Sequence, residues 1–198
     1  MARHYRNSSE ARDRVLEEAE RLFQTIGYGK TTMGDIAQAC GFSASNVHRL
    51  FKTKSAVNEA IAARLVSRLE GAAIQAVEQE TTAPEKLRLL LKTLHSETRQ
   101  LWLNDANLFA MVSAGIEENW LAIRAYKSKI RFLIEQIILL SDGELIHGNT
   151  PSAAAEIIYQ CGIRLFHPLI IAEFEEQEPQ IKADEMIEFL VSLLEKKE

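Results

Sequence analysis

The sequence predicts an all-α protein of about nine helices. Apolar residues recur at helical spacing in almost every segment, and the strict alternation that marks half-buried strands is missing. Only four prolines and nine glycines interrupt this pattern across 198 residues. Hydrophobic residues make up 46% of the chain and charged residues 26%, which is ordinary for a globular protein.

The first predicted helix follows a polar arm, residues 1–9. Its apolar stripe includes Val15, Ala19 and Phe23, which repeat at intervals of four and therefore share one face. Gly27 should end this helix, because glycine adopts a left-handed backbone without a Cβ clash. We expect the stripe to form the core against which the next two helices pack.

Two short helices joined by a tight turn are predicted between residues 31 and 54. Thr32 and Asp35 have the spacing of a capping box at the start of the first helix. Gly41 should end that helix, and Ser43 should cap the second one. This is the arrangement of a helix-turn-helix, a motif that many DNA-binding proteins use.

The second short helix is expected to have one apolar and one polar face. Val47, Leu50 and Phe51 fall at positions i, i+3 and i+4, so they should be buried together. Small, polar or basic residues without a carboxylate form the opposite face: Ala44, Ser45, Asn46, His48 and Arg49. Such a face can approach an anionic duplex without repulsion and can hydrogen-bond to base edges.

Residues from about 10 to 60 contain a dense motif, A-x-x-L-F-x-x-x-G-Y-x-x-T-T-x-x-D-I-A-x-x-x-G-F-S-x-S-x-x-x-x-x-F-x-x-K. It resembles the DNA-binding domain of the TetR family of bacterial transcription regulators. One departure is His48, since family members usually have a tyrosine there. A phosphate contact at this position would therefore come from an imidazole.

These residue types and the resemblance together predict the DNA contacts. Base reading is assigned to Ser43, Ala44, Ser45, Asn46 and Arg49. Phosphate contacts are assigned to Lys30, Thr31, Thr32, His48, Thr53 and Lys54. Residues 1–54 are then the DNA-binding domain, and residues 55–198 are a ligand-binding and dimerisation domain. A long helix, about 55–79, is expected to connect the two.

The distribution of charge agrees with that division. The formal net charge is −5, but residues 1–55 carry nine basic and six acidic side chains, a balance of +3. The remaining residues carry a balance of −8. A basic end on an acidic body directs the basic end towards phosphate.

Motifs for nucleotide binding, catalysis or metal binding are missing. Gly29-Lys30-Thr31 resembles the end of a phosphate-binding loop, but that loop needs a glycine at position 24, which is Gln24. Neither G-x-S-x-G nor H-E-x-x-H occurs, and Cys40 and Cys161 have no metal-ligand spacing. We therefore expect no enzymatic activity, no cofactor and no metal.

The rest of the chain is predicted to form further helices. One runs from a capping box at Thr82 to a break at Asn104, and others cover about 106–114, 118–140, 150–175 and 183–196. Pro168 should kink the helix of residues 150–175. A loop with turn residues at both ends should join residues 141 and 151.

The last two predicted helices carry more apolar surface than so small a domain can bury. A homodimer would cover it, and the resemblance implies pairing through these helices into a four-helix bundle. Two copies could then read a palindrome across about one turn of DNA. The residues expected at the interface are Ile157, Cys161, Leu165, Met186, Phe189, Leu190 and Leu193.

Polar and aromatic residues within apolar helices suggest a ligand pocket, which needs apolar walls and a few orienting polar groups. These residues are His95, Trp102, Asn107, Phe109, Trp120, Tyr126, Tyr159, Phe166 and His167. Ordinary core packing is the alternative for each of them. The resemblance implies a small-molecule pocket in this domain without naming the molecule.

The sequence thus predicts a dimeric, ligand-responsive DNA-binding regulator that acts as a repressor. A DNA-binding dimer without an effector and a helical protein-interaction module without DNA binding are the alternatives. No apolar run approaches the ~18 residues that span a bilayer, and the first ten residues lack the apolar core of a signal peptide. We therefore expect a cytoplasmic protein.

Overall fold

A computed structural model of the protein describes residues 2–141, 150–176 and 182–194. These ranges contain ten α-helices and no β-strand, which confirms the predicted all-α class. The helices are α1 (Ala2–Ile26), α2 (Met33–Cys40), α3 (Ala44–Leu50), α4 (Lys54–Glu78), α5 (Ala83–Asn104), α6 (Ala106–Glu117), α7 (Leu121–Leu139), α8 (Pro151–Phe166), α9 (Pro168–Glu176) and α10 (Ala183–Ser192). None of these helices is long and apolar enough to cross a membrane.

The chain packs into two compact units. The N-terminal unit consists of Met1–Leu65 and Asp105–Ile123, and the C-terminal unit consists of Val66–Asn104 and Arg124–Glu198. The division therefore falls inside α4 and inside α7. Through the segment Asp105–Ile123, the N-terminal unit contains α6 as well as the helix-turn-helix.

The core of the N-terminal unit is built on the apolar stripe of α1. Val15, Ala19 and Phe23 are fully buried, as their spacing predicts. Helices α2 and α3 both pack on α1, where they bury Ile36 and Val47. Since each of these two helices is too short to be stable alone, the stripe on α1 holds them in place.

Helix α6 continues past residue 114, where the sequence predicted that it would end. It runs to Glu117, because Gly115 is a packing position and not a helix end. A Cβ on Gly115 would lie 2.9 Å from Cε3 of Trp120, so only glycine leaves room for the indole ring. The chain reverses at Asn119, whose φ is 56°.

The C-terminal unit has its own core, in which α5 packs against α8, α9 and α10. Leu87, Leu90 and Leu91 of α5 are fully buried in it. Gly162 of α8 faces this core, where it packs against side chains of Leu91 and Leu190. This packing fixes which faces of α8 and α10 remain exposed.

The predicted kinked helix of residues 150–175 is two separate helices in the structure, which raises the number from about nine to ten. Pro168 lacks an amide hydrogen, and its ring would clash with a carbonyl one turn earlier. His167 is extended, with φ −84° and ψ 119°, as residues before proline tend to be. Helix α8 therefore ends before the proline and α9 begins at it.

The first and last helices also have boundaries that differ from the sequence prediction. Helix α1 begins at Ala2, so most of the predicted polar arm is helical. The last helix ends at Ser192, four residues earlier than predicted. The predicted loop after Ser141 lies largely outside the described residues.

Candidate nucleic-acid interface

Helix α2 begins with the capping box that its sequence predicts. The Asp35 amide donates to the Thr32 hydroxyl at 3.1 Å, and the Thr32 amide and hydroxyl donate to the Asp35 carboxylate at 2.8 and 2.7 Å. These two bonds from Thr32 lower the pKa of Asp35. Because the folded-state pKa is depressed, the cap contributes stability at pH values above the ordinary pKa of a carboxyl, and this stability is lost as the pH falls through the lowered folded-state pKa.

The turn between α2 and α3 depends on a left-handed glycine. Gly41 has φ 67° and ψ 28°, and its amide donates to the Gln38 carbonyl at 3.1 Å. The Phe42 amide donates to the Ala37 carbonyl at 2.9 Å. These bonds satisfy the last carbonyls of α2 and set the direction in which α3 leaves.

Helix α3 is capped at both ends and buried on one side. The Ser43 hydroxyl accepts from the Asn46 amide at 3.2 Å, and the Phe51 amide donates to the Val47 carbonyl at 2.8 Å. Val47 and Phe51 are buried, as predicted, whereas Leu50 is only half-buried. The rest of α3 therefore faces outward from the core.

The residues assigned to base reading lie on this outward face. Ser43, Ala44, Ser45 and Arg49 are exposed, and Asn46 is half-buried. Arg49 Nη2 donates to Asn46 Oδ1 at 2.8 Å, which leaves the Asn46 amide hydrogens directed elsewhere. The structure thus brings a guanidinium, an amide and two hydroxyls together on one helix.

Sequence reasoning missed Arg12, which positions α3 from α1. Its Nη1 donates to the Leu50 carbonyl at 2.8 Å, and its guanidinium carbon lies 3.9 Å from the centroid of the Phe51 ring. The guanidinium therefore satisfies a carbonyl at the end of α3 and stacks on the buried ring beside it. Neighbouring Asp13 forms an ion pair with Arg64 of α4. Each partner is far away in sequence, so no local pattern reveals these contacts.

The residues assigned to phosphate contacts differ in how accessible they are. Lys30, Thr32, His48 and Thr53 are exposed and Lys54 is half-buried, whereas Thr31 is only 1% exposed. The Thr31 hydroxyl donates to the Gly27 carbonyl at 2.9 Å, which makes Thr31 a support of the turn before α2.

Two further members of this set have structural bonds as well. The Thr53 hydroxyl accepts from the Ala56 amide at 3.1 Å and so caps α4. The Lys54 ammonium donates to the Gly29 carbonyl at 3.1 Å. Since an ammonium has three donors, this bond leaves Lys54 able to contact another acceptor.

The nine residues suggested for a ligand pocket fall into both units. Asn107, Phe109 and Trp120 belong to the N-terminal unit. Trp120 is buried against Gly115, and its indole nitrogen donates to Glu118 at 2.8 Å. Asn107 donates to the Gln24 carbonyl at 2.7 Å. The remaining six, His95, Trp102, Tyr126, Tyr159, Phe166 and His167, belong to the C-terminal unit.

Five of the six lie on α5, on α8 or directly after α8, and these two helices pack together. His95 Nδ1 donates to the Leu165 carbonyl at 2.8 Å, which sets its tautomer. The rings of Tyr159 and Phe166 lie 5.4 Å apart. Nδ1 of His167 is buried without a hydrogen-bond partner among the described residues. Burial, with a smaller contribution from Lys127, lowers the pKa of His167, so this imidazole is neutral at pH 7.

Two tyrosines add polar groups to the same unit. Burial raises the pKa of Tyr126 and of Tyr159, and the charge of Arg131 partly offsets this for Tyr159. The guanidinium carbon of Arg131 lies 5.5 Å from the centroid of the Tyr159 ring, and its Nη1 lies 3.5 Å from Glu156. The C-terminal unit therefore holds two neutral tyrosine hydroxyls, together with the neutral imidazole of His167.

The residues suggested for a dimer interface divide into exposed and buried members. Ile157 and Cys161 of α8 and Phe189 of α10 are exposed, the last by 66%. Met186 and Leu193 are partly buried. Leu165 and Leu190 are each 2% exposed, because they face the core of their own unit. Ile157 and Cys161 lie four residues apart on α8, and Phe189 lies about one helical turn from both Met186 and Leu193.

Two family models match the chain. A model described as bacterial regulatory proteins, tetR family, matches residues 15–61, which include α2 and α3. A model described as tetracyclin repressor-like, C-terminal domain, matches residues 83–187, more than half of the chain. Among curated proteins, none matches the chain significantly.

Solved structures with the same fold include a transcriptional regulator of the TetR/AcrR family from Thermobifida fusca, with 21% identity, a TM-score of 0.66 and coverage of 93% of this chain and 96% of that one. FadR from Bacillus subtilis, in complex with stearoyl-CoA, has 16% identity and a TM-score of 0.62, and covers 91% and 96%. FadR from Thermus thermophilus, in complex with lauroyl-CoA, has 21% identity and a TM-score of 0.60, and covers 92% of each chain.

Proposed function

Because the chain belongs to the TetR family of bacterial transcriptional regulators, we propose that it binds a palindromic DNA operator as a homodimer. We further propose that a small-molecule effector releases it, so that it acts as a repressor. The observation that carries the DNA-binding proposal is the outward face of α3, which has no carboxylate and is held on a fully buried core.

Helix α3 is the proposed reading element in the major groove. Asn46 and Arg49 offer amide and guanidinium donors, which suit the base edges of adenine and guanine. Ser43, Ala44 and Ser45 are small enough to let the start of the helix approach the groove closely. Residues 1–54 are the proposed DNA-binding domain, with Arg12 fixing the end of α3.

Phosphate contacts are proposed for the turn before α2 and for the start of α4. Lys30 and Thr32 flank the N-terminus of α2, where amide groups and the helix dipole favour an anion. Thr53, Lys54 and His48 would contact phosphates on the other side of α3. Thr31 supports this surface from inside through its bond to the Gly27 carbonyl.

The proposed homodimer forms through exposed apolar side chains of α8 and α10. Ile157 and Phe189 are 43% and 66% exposed, so neither belongs to the core of its own unit. Met186 and Leu193 extend the surface of Phe189 along α10. Burying such a surface against a second copy is favourable at about 25 cal/mol per Å² of apolar area.

The effector is proposed to bind within the C-terminal unit, beside Tyr126, Tyr159, His95 and His167. Their hydroxyl and imidazole groups could orient a mostly apolar ligand. Two proteins of the same fold have been solved with stearoyl-CoA and lauroyl-CoA. Acyl-CoA thioesters are therefore the first effectors to test, together with the free fatty acids as controls.

Selection of random DNA duplexes by the purified protein tests the proposal. We expect a palindrome to be enriched, and affinity for it to fall steeply as salt concentration rises. A folded dimer that enriches no sequence would contradict the DNA-binding proposal and favour a protein-interaction module. A palindrome whose binding no acyl-CoA or other metabolite weakens would favour a regulator without an effector.

Replacing Asn46 with alanine should relax sequence preference at one base position in each half-site. The change removes an amide donor and also frees the Arg49 side chain that it holds. We expect a loss of about 1–3 kcal/mol against the selected operator and little change on random DNA. Competitive binding measurements would show this, with Gln38→Ala, an exposed amide on α2, as the control. Equal losses on both kinds of DNA would refute the base-reading role.

Replacing Lys30 with alanine should weaken binding to all sequences alike. The exposed ammonium is proposed to contact phosphate, which carries no sequence information. The homodimer would lose one phosphate contact in each subunit, so the slope of log K against log salt should fall by about 1.8, or about 0.9 per contact. Lys92→Ala removes an equal charge from α5 of the C-terminal unit and should leave the slope unchanged. An unchanged slope in Lys30→Ala would remove this residue from the phosphate set.

A further inference from the structure

The turn between α1 and α2 presents Lys30 and Thr32, and it is tightly bonded on its inner side. Gly27 has φ 87°, and its amide donates to the Phe23 carbonyl at 3.0 Å. The Gly27 carbonyl accepts from both the amide and the hydroxyl of Thr31, at 3.2 and 2.9 Å. The position of the turn therefore depends on where α1 ends and on how its last carbonyls are satisfied.

Two side chains from other helices donate hydrogen bonds to this turn and to the end of α1 that precedes it. The Lys54 ammonium of α4 donates to the Gly29 carbonyl at 3.1 Å. Asn107 of α6 donates from Nδ2 to the Gln24 carbonyl at 2.7 Å, across 83 residues of sequence. The Gln24 carbonyl belongs to the last turn of α1, where carbonyl groups have no partner within the helix.

Asn107 also packs against Gly27. Asn107 Oδ1 lies 3.4 Å from where a Cβ on Gly27 would be, so the amide rests directly against the glycine. A larger residue at position 27 would also be strained by the left-handed backbone. The left-handed backbone favours glycine at position 27, and this residue lies in contact with the amide of Asn107.

Asn107 lies in the first turn of α6, within a segment that is bonded to α4 at its far end. The Asp105 carboxylate accepts from the Leu108 amide at 2.9 Å and caps the first turn of α6. Further along, the Glu59 carboxylate of α4 accepts from the amides of Leu121 and Ala122, at 3.0 and 3.3 Å. Because the first turn of α6 is capped and the end of the segment is bonded to α4, Asn107 can act as a fixed support for the end of α1.

We infer that Asn107 is a positioning residue for DNA binding, an inference that rests on the proposed function. Its amide fixes the end of α1, and through Gly27 it fixes the place of Lys30 and the N-terminus of α2. The side chain needs no contact with DNA. This role differs from lining an effector pocket, which was the expectation from the sequence.

A salt titration of Asn107→Ala on the selected operator tests the inference. The substitution removes no charge, so an effect on folding stability alone would leave the slope of log K against log salt unchanged. We expect the slope to fall by about 1.8 and the affinity to fall about tenfold, because misplacing the turn loses about one phosphate contact in each subunit of the dimer. Asn104→Ala removes an exposed amide at the end of α5 and should change neither quantity.

Hydrogen exchange of the protein without DNA provides a second, independent measurement. The amides of Gly27 and Thr31 should exchange about tenfold faster in Asn107→Ala, while amides in the core of the C-terminal unit keep their wild-type rates. Asn107→Asp, which has the same shape and cannot donate when ionised, should show the same changes. It serves as the test if the alanine variant does not fold.

The two proposals can fail separately. Wild-type protein that binds no operator would overturn the proposed function and, with it, the role of Asn107 in DNA binding. Wild-type protein that binds its operator with a steep salt dependence, together with variants of Asn107 whose slope and exchange rates match it, would overturn the inference alone.

Discussion

We expect Phe189→Glu to convert the protein from a dimer into a monomer. Phe189 is 66% exposed on α10, beside the partly buried Met186 and Leu193. Burying one phenylalanine side chain contributes about 1.5–3 kcal/mol, and a two-fold interface contains it twice. The substitution also places a carboxylate of each subunit in an apolar contact, where burying an unpaired charge is costly.

The dissociation constant of the dimer should therefore rise by about a thousandfold or more, since each 1.4 kcal/mol is a factor of ten. Sedimentation velocity over a range of protein concentrations measures this directly. Affinity for a palindrome should fall with it, whereas binding to a single half-site should be unchanged. The far-ultraviolet circular dichroism spectrum should remain that of a folded helical protein, because Phe189 lies outside the core.

Phe132→Glu on α7 is the matched control. Phe132 is 60% exposed and is also a phenylalanine on a helix of the C-terminal unit, but it lies outside the proposed interface. We expect this variant to stay dimeric. A dimer that survives Phe189→Glu but dissociates in Phe132→Glu would move the interface from α8 and α10 to α7.

Phe23→Ala should have the largest effect on the stability of the N-terminal unit. Phe23 is fully buried, and its ring lies 6.4 Å from that of Tyr28 in an edge-to-face arrangement. Truncation of a buried phenylalanine costs about 3–5 kcal/mol, through the lost transfer free energy and the cavity that remains. Because α2 and α3 pack on the stripe of α1, we expect DNA binding to be lost through local unfolding and not through a missing contact.

Hydrogen exchange separates these two causes. Amides of α1, α2 and α3 should lose protection in Phe23→Ala, whereas those in the core of the C-terminal unit should keep theirs. Ile26→Ala truncates a residue of the same helix that is 44% exposed and should cost much less. Full protection of α2 and α3 in Phe23→Ala, together with lost DNA binding, would refute this account.

The helix ends show how far local chemistry alone determines the fold. The capping box of Thr32 and Asp35 and the left-handed Gly41 are present as predicted. Thr150 caps α8, with Pro151 in its first turn. These features involve residues within a few positions of each other, so their hydrogen bonds follow from the order of the side chains.

Local patterns were less reliable for proline and glycine within helical segments. Pro168 separates two helices where a kink was predicted, because His167 before it is extended. Gly115 lies inside α6 where a helix end was predicted, because the ring of Trp120 packs on it. A glycine can end a helix, as Gly41 does, or make room inside a helix for a neighbouring side chain, as Gly115 does. Which of the two occurs depends on the residues that pack against it.

The sequence determined which residues form the outward face of α3. The tertiary structure decided which distant residues hold that face in position. The spacing of Val47 and Phe51 is enough to place Asn46 and Arg49 on the outward side of α3. The bonds from Arg12 to Leu50 and from Asn107 to Gln24 cross 38 and 83 residues.

The same limit applies to the proposed dimer surface. Among the apolar residues predicted there, Leu165 and Leu190 are in the core, whereas Ile157 and Phe189 are exposed. Helical periodicity shows that a face is apolar, but it does not show whether the chain's own core or another molecule covers that face. Local hydrogen bonds and periodicity depend on near neighbours, which the sequence determined. Contacts between distant residues depend on how the helices pack, which only the tertiary structure decided.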